Sequence, residues 1–97
     1  MLNLLRYAED GAQSYAQYAE KIVPFLERVG ADKINIGDTT TTLVAPDAHE
    51  WDAVLLVRYP SREAFSRMVA DPEYQQVTAL RTQALTEAVL QATVPWG

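Results

Sequence analysis

An α+β fold with its elements in the order βαββαβ is what this 97-residue sequence predicts, and three observations predict it. Extended and helical segments alternate in that order along the chain. The run Trp51 to Tyr59 is apolar at its centre without alternating, as expected of a strand buried on both faces. Hydrophobic residues make up 48% of the chain, enough for one globular domain over residues 1–97 and too short for two.

Leu2 to Tyr7 reads as the first strand. Asp10-Gly11-Ala12-Gln13 then resembles a capping box, with an N-cap oxygen and a Gln three residues on. In the helix that follows, Tyr15, Tyr18, Ala19, Ile22, Leu26 and Val29 recur at three- and four-residue spacing and draw one apolar stripe. Gly30 stands where a left-handed cap is wanted. Pro24 interrupts the helix and predicts a bend.

Asp32 to Val44 alternates Ile34 and Ile36 against Lys33 and Asn35 and continues into four threonines, Thr39 to Thr42, which predicts a second strand with a break near Gly37-Asp38. The segment 45–50 is the turn into the third strand, Trp51 to Tyr59, which Pro60 stops. Ser61 caps the next helix, whose apolar face is Ala64, Phe65, Met68 and Val69. Asp71-Pro72-Glu73 restarts it in a new direction as cap, first helical position and acidic first turn. Tyr74, Val77, Arg81, Ala84 and Leu85 share the inner stripe, Glu87 to Val94 is the last strand, and 94–97 a tail. In an open sheet this order is the ferredoxin-like arrangement, an antiparallel four-stranded sheet with the first and third strands central and the helices on one face.

The third strand has two faces. Trp51, Ala53, Leu55, Val57 and Tyr59 form one, and Asp52, Val54, Leu56 and Arg58 the other. Helices cover one side only, so Val54, Leu56 and a leucine of the first strand call for a second copy of the chain on the other. Asp52 and Arg58 lie too far apart to pair within one strand; either a twofold partner brings them together or both are solvated rim charges.

A net charge of −5, from 13 acidic and 8 basic side chains without a basic cluster, argues against nucleic acid. With no cysteine there is no disulfide framework, thiolate nucleophile, Cys-ligated zinc or iron-sulfur cluster. One histidine and unclustered acids lack a metal-site signature. The four glycines are far apart, so no phosphate loop exists. No apolar run approaches the ~20 residues of a membrane span, and the start lacks the regions of a secretory leader, so cytoplasmic residence is expected.

Trp51-Asp52, Val57-Arg58-Tyr59-Pro60-Ser61-Arg62, Phe65, Met68, Asp71-Pro72-Glu73-Tyr74, Arg81 and the opening Asn3-Leu4-Leu5 resemble a widespread bacterial family of about this length, catalogued as a domain of unknown function. That family belongs to the dimeric α+β-barrel superfamily, with antibiotic-biosynthesis monooxygenases, haem-degrading oxygenases and polyketide cyclases among its relatives. The resemblance implies a homodimer through the helix-free sheet face and a ligand pocket inside each subunit, between sheet and helices.

Tyr15 and Tyr18 on the first helix and Tyr74 and Arg81 on the last are the candidate ligand-binding residues. A guanidinium on an apolar stripe must find a carboxylate, carbonyls, water or an anionic ligand, or else pack its stem and send its head to solvent. The tyrosines either present hydroxyls to a ligand or complete the core. Asn3 and Trp51 are similar to the Asn and Trp with which cofactor-independent monooxygenases of the superfamily hold an aromatic substrate and stabilise an oxyanion. His49, the only side chain of ordinary pKa near neutrality, is the candidate base, with Glu50 or a perturbed Asp52 as substitutes. Haem-degrading relatives ligate iron through a histidine on the helix after the third strand. Residues 61–85 contain none, so no haem or other cofactor is expected.

The function expected from sequence is therefore a homodimer that binds a small apolar or aromatic molecule. It either catalyses a cofactor-independent oxygenation, cyclisation or isomerisation of an aromatic or polyketide-like substrate, or serves as a non-catalytic binding or scaffold protein.

Overall fold

A computed structural model describes residues 1–47 and 49–96; Ala48 of the expected turn and Gly97 of the expected tail lie outside the described residues. The elements are β1 (Leu2–Tyr7), α1 (Gly11–Lys21), α2 (Val23–Arg28), β2 (Asp32–Asp38), β3 (Ala53–Arg58), α3 (Arg62–Ala70), α4 (Pro72–Ala84) and β4 (Leu85–Gln91). The strands form one antiparallel sheet in the order β2-β3-β1-β4. This is the ferredoxin-like α+β arrangement, with each crossover made of two helices rather than one.

Pro24 does more than bend the first crossover. The Ile22 N–H still reaches the Tyr18 carbonyl at 2.9 Å, but proline has no N–H to continue the ladder. The chain restarts as α2 with Pro24 in its first turn, and the Ile22 carbonyl accepts from both Phe25 and Leu26 at 3.0 Å. The start of α1 also differs from the expected capping box. Asp10 sits in the left-handed region at φ 58° and its side chain makes no cap bond. The turn is held instead by the Gly11 N–H on the Ala8 carbonyl at 2.8 Å, with the Ala8 N–H on the Ala84 carbonyl at 2.8 Å. Gly30 takes the positive φ of 73° expected of its cap.

The caps of the second crossover form as expected. Ser61 Oγ accepts from the Ala64 N–H at 3.1 Å, and Asp71 Oδ1 from the Glu73 N–H at 2.9 Å.

Three strands are shorter than expected: β3 covers Ala53–Arg58 rather than Trp51 to Tyr59, and β2 and β4 stop early for one reason. A strand ends where its ladder partner ends, whatever its own β propensity. β2 pairs with β3 only as far as Asp38 opposite Ala53. Beyond that the Thr39 N–H reaches the Asp52 carbonyl at 3.0 Å, and Thr40 to Val44 run exposed without ladder bonds. β4 begins directly at Leu85, not Glu87, and stops at Gln91, opposite Leu2 where β1 begins.

The core lies on one side of the sheet. Leu5, Ala53, Leu55 and Val57 meet Tyr15, Tyr18, Ile22, Phe25, Leu26, Met68, Tyr74 and Ala84, and α1 packs along α4. On the other side Leu2, Leu4, Val54, Leu56 and Val89 form an apolar stripe through the pairs Leu2–Leu56, Leu4–Val54 and Leu4–Val89, and none of them belongs to the core. The backbone envelope is 38 × 37 × 17 Å, the thickness of one sheet and one helical layer.

Charges at the ends of the stripe pair within the chain. Arg58 reaches Asp32 at 2.9 Å, and Arg6 reaches Glu87 at 2.7 Å. Asp52 accepts the Tyr7 N–H at 2.7 Å. The expected meeting of Asp52 with Arg58 across a twofold axis is therefore not needed to satisfy either group.

Candidate functional site

Tyr15 and Tyr18 lie on the inner stripe of α1. Tyr74 and Arg81 are two turns apart on the inner face of α4. These positions bring the four side chains together over β1 and β3. They surround a divided space between sheet and helices. Its inner compartment, of about 30 Å³, is lined by Asn3, Tyr15, Tyr18, Lys33, Leu55, Val57 and Arg81 among others. An outer compartment of about 320 Å³ is lined by Tyr18, Tyr59, Phe65, Met68, Tyr74, Arg81 and their neighbours. Asn3, Tyr18, Tyr59 and Arg81 border both.

The inner space admits about one or two waters. The Tyr18 and Tyr74 hydroxyls meet at 3.0 Å and tie α1 to α4. Rings continue on both sides: Tyr15 lies 5.4 Å from Tyr18, and Phe25 is edge-on to Tyr74 at 5.9 Å.

Arg81 is the unusual member. Its Nη2 is buried and has no hydrogen-bond partner among the described residues. A buried donor left unmade costs about 1 to 3 kcal/mol, more when charged, which an acceptor placed there would offset.

The phenols around it are held in their neutral form. Burial raises the pKa of Tyr15, with Arg81 opposing. Burial and the bond to Tyr74 raise that of Tyr18. Burial, with Tyr74 and Tyr15 nearby, pushes Tyr59 up to about 12. Unfolded phenols ionise near pH 10. Because the folded values are higher, stability due to these neutral phenols is complete below pH 10 and falls as pH climbs toward 12. The expected result is a urea midpoint insensitive to these groups up to pH 10 that then declines, with phenolate absorbance lagging that of free tyrosine. Ionisation of Tyr15, Tyr18 and Tyr59 near pH 10 in the folded protein would contradict this arrangement.

Asn3 is buried, and its amide nitrogen donates to the carbonyls of Met1 and Leu55, each at 3.3 Å. Both donors are thereby used, leaving Oδ1 as an acceptor; a donor to an oxyanion would require breaking one of these bonds.

Trp51 and His49 are not brought to this space. Trp51 lies under the Arg6 guanidinium at 4.8 Å and borders a separate polar cleft with Thr39, Thr40, Thr42, Glu50 and Asp52. His49 is exposed in the loop before β3 and borders neither compartment. Among the described residues, no three His, Cys, Asp or Glu side chains are grouped to hold a metal ion. None of the described helices is long and apolar enough to cross a membrane.

Tyr59 and Lys33 are lining residues that sequence reasoning did not select. Tyr59 was findable, since it shares the parity of Leu55 and Val57 on β3. Lys33 was not, because a register shift between Lys33 and Asn35 breaks the alternation of β2. Lys33 pairs with Val57 and Ile36 with Leu55, so both reach the helix-covered side, contrary to the alternation expected.

The fold is shared with solved structures. RPA0582, a protein of unknown function from Rhodopseudomonas palustris, is 31% identical with a TM-score of 0.81, over 97% of this chain and 81% of that one. Methylated RPA0582 gives 30% identity and a TM-score of 0.82, over 99% and 81% of the two chains. A dimeric protein of unknown function and ferredoxin-like fold from Bacteroides fragilis NCTC 9343 shares the fold at 12% identity and a TM-score of 0.62, over 91% and 86%. No curated protein matches the chain. The sequence matches the domain of unknown function DUF1330 over residues 5–93, the strands, helices and lining residues from Leu5 onward included, and the chain belongs to that family.

Proposed function

We propose that the chain is a small-molecule-binding homodimer: two copies meet through their helix-free sheet faces, and each holds a small, largely apolar or aromatic molecule between sheet and helices. The observation that carries the binding reading is the buried, unpartnered Arg81 Nη2 on the border of both compartments. A ligand acceptor there would meet a buried donor that no described protein group accepts from, while Phe65, Met68, Leu55 and Val57 would take its carbon skeleton.

The dimer is supported by the apolar stripe, by the 17 Å thickness and by surface area. The chain exposes 6800 Å², against about 5,500 Å² for a monomer of this mass. Part of the excess is the exposed 39–47 loop and the 92–96 tail, and the stripe adds to it. The Bacteroides fragilis protein with this fold is described as dimeric.

Binding is favoured over catalysis because the lining groups are donors. Arg81 and the neutral phenols would stabilise a developing oxyanion on an aromatic or polyketide-like substrate. Neither compartment, however, is bordered by a His, Asp or Glu to act as base. A cofactor-independent monooxygenase, cyclase or isomerase would have to take its base from elsewhere.

A thermal-shift screen against aromatic polyketides, acyl acids and phenols tests the reading. A ligand at a hundred times its Kd adds about 2.7 kcal/mol, and each kcal/mol raises Tm by roughly 4 to 8 °C in a domain of this size. Arg81→Met is expected to keep the assembly mass and lose the shift. Absence of any stabilising ligand, or failure of Arg81→Met to fold, would return Arg81 to a structural role.

A further inference from the structure

We infer that the ligand is a carboxylate, its head on Arg81 and its apolar body in the outer compartment; this deepens, and rests on, the pocket reading above. The charges bordering the space carry the inference. Lys33 and Arg81 contribute positive charge and no carboxylate borders either compartment, in a chain with 13 acidic residues against 8 basic ones.

Three of the other five arginines are matched by carboxylates of the protein itself, while Arg62 and Arg67 make no ion pair among the described residues. Arg6 has Glu87 at 2.7 Å, Arg58 has Asp32 at 2.9 Å, and Arg28 has Asp71 and Glu73 at 3.4 Å. Those pairs are all at the surface, where water would serve nearly as well. Arg81, the one with a buried unpartnered nitrogen, makes no ion pair with a described carboxylate; Glu87, which shares a surface cleft with it, is taken by Arg6 at 2.7 Å. A neutral ligand would satisfy the hydrogen bond and leave the guanidinium charge without a counter-charge in the pocket. An anion meets both requirements.

Shape selects the kind of anion. The guanidinium fork matches a planar carboxylate with two parallel N–H···O bonds. The inner space of about 30 Å³ suits a head of two oxygens better than a tetrahedral phosphate, and the site lacks the glycine-rich backbone donors of a phosphate cradle. Tyr15, which feels the Arg81 charge, keeps its proton and supplies a further donor to the same head. The outer space of about 320 Å³ between Phe65, Met68 and Val69 fits one aromatic ring or a short acyl chain.

The test is calorimetry of the full-length protein with matched pairs: benzoate, phenylacetate and hexanoate, each against its primary amide, with inorganic phosphate and sulfate as further arms. Charged hydrogen bonds of this kind imply that each acid binds about 10- to 100-fold tighter than its amide at neutral pH. Arg81→Lys keeps the charge but not the fork, and is expected to lose most of that preference while still binding the amides. Equal binding of acids and amides would overturn the carboxylate assignment and leave the pocket standing. Phosphate or sulfate binding as tightly as the acids would overturn it as well. No binding by any acid or amide would remove both the assignment and the pocket. The acid-to-amide ratio is read on the unaltered protein, so the outcome does not depend on a variant folding.

Discussion

At micromolar concentration the protein is expected to sediment at twice its chain mass of 10.8 kDa, and Leu56→Asp to return it to a single folded chain. Leu56 lies on the helix-free stripe, opposite Leu2 on β1 and Asn35 on β2. Fully burying an aliphatic side chain contributes roughly 1.5 to 3 kcal/mol. Leu2, Leu4, Val54, Leu56 and Val89 are already half-covered by their neighbours, so each offers part of that on association. Their sum over two copies still exceeds any surface ion pair.

A twofold interface repeats every substitution, so Leu56→Asp places two carboxylates in one apolar contact. The cost is expected to be at least about 3 kcal/mol, more than a hundredfold in the dimer dissociation constant. The fold of the single chain should survive, since Leu56 faces away from the core. Sedimentation of the unaltered protein as a stable single chain would refute the assembly.

Gly11→Ala is expected to be strongly destabilising. A Cβ at this position would lie 2.0 Å from the Ala84 carbonyl oxygen and 3.0 Å from its carbon. The obstacle is backbone, not the end of a side chain, and the same carbonyl accepts the Ala8 N–H. To admit one methyl group, the β1–α1 turn must separate from the α4–β4 junction. Overpacking a well-filled site typically costs 1 to 3 kcal/mol, and at this distance the upper end, about 3 kcal/mol, is expected. That lowers Tm by roughly 12 to 24 °C, to be read by calorimetric unfolding. A loss below about 1 kcal/mol would mean that the turn yields easily and the contact is not a constraint.

Much of the fold was legible because its signals are local or periodic. Ser61 and the Asp71-Pro72-Glu73 run announce their helices through hydrogen bonds spanning two or three residues. The two apolar faces of β3 follow from an unbroken apolar run on a backbone whose side chains point to opposite faces in turn. Strand ends were not legible, because Thr40 to Thr42 have the chemistry of a strand and lack only a neighbour. Asp10 has the chemistry of a cap, but tertiary contact at Gly11 sets the turn.

The site divides in the same way. Tyr15, Tyr18, Tyr74 and Arg81 could be read from helical spacing, and the structure brings them together. Lys33 required knowledge of an irregular register. That both donors of Asn3 are taken by the carbonyls of Met1 and Leu55 depends on contacts between distant parts of the chain, which no local pattern records.

No spacer residue separates α4 from β4: Ala84 ends one and Leu85 begins the other. An extra residue there would turn the helix by about 100° relative to the strand, swinging Arg81 off the sheet. Length variation among relatives is then expected in the stretch between Asp38 and Ala53 rather than at that joint. Alignments of relatives should show gaps in the stretch and none at the joint.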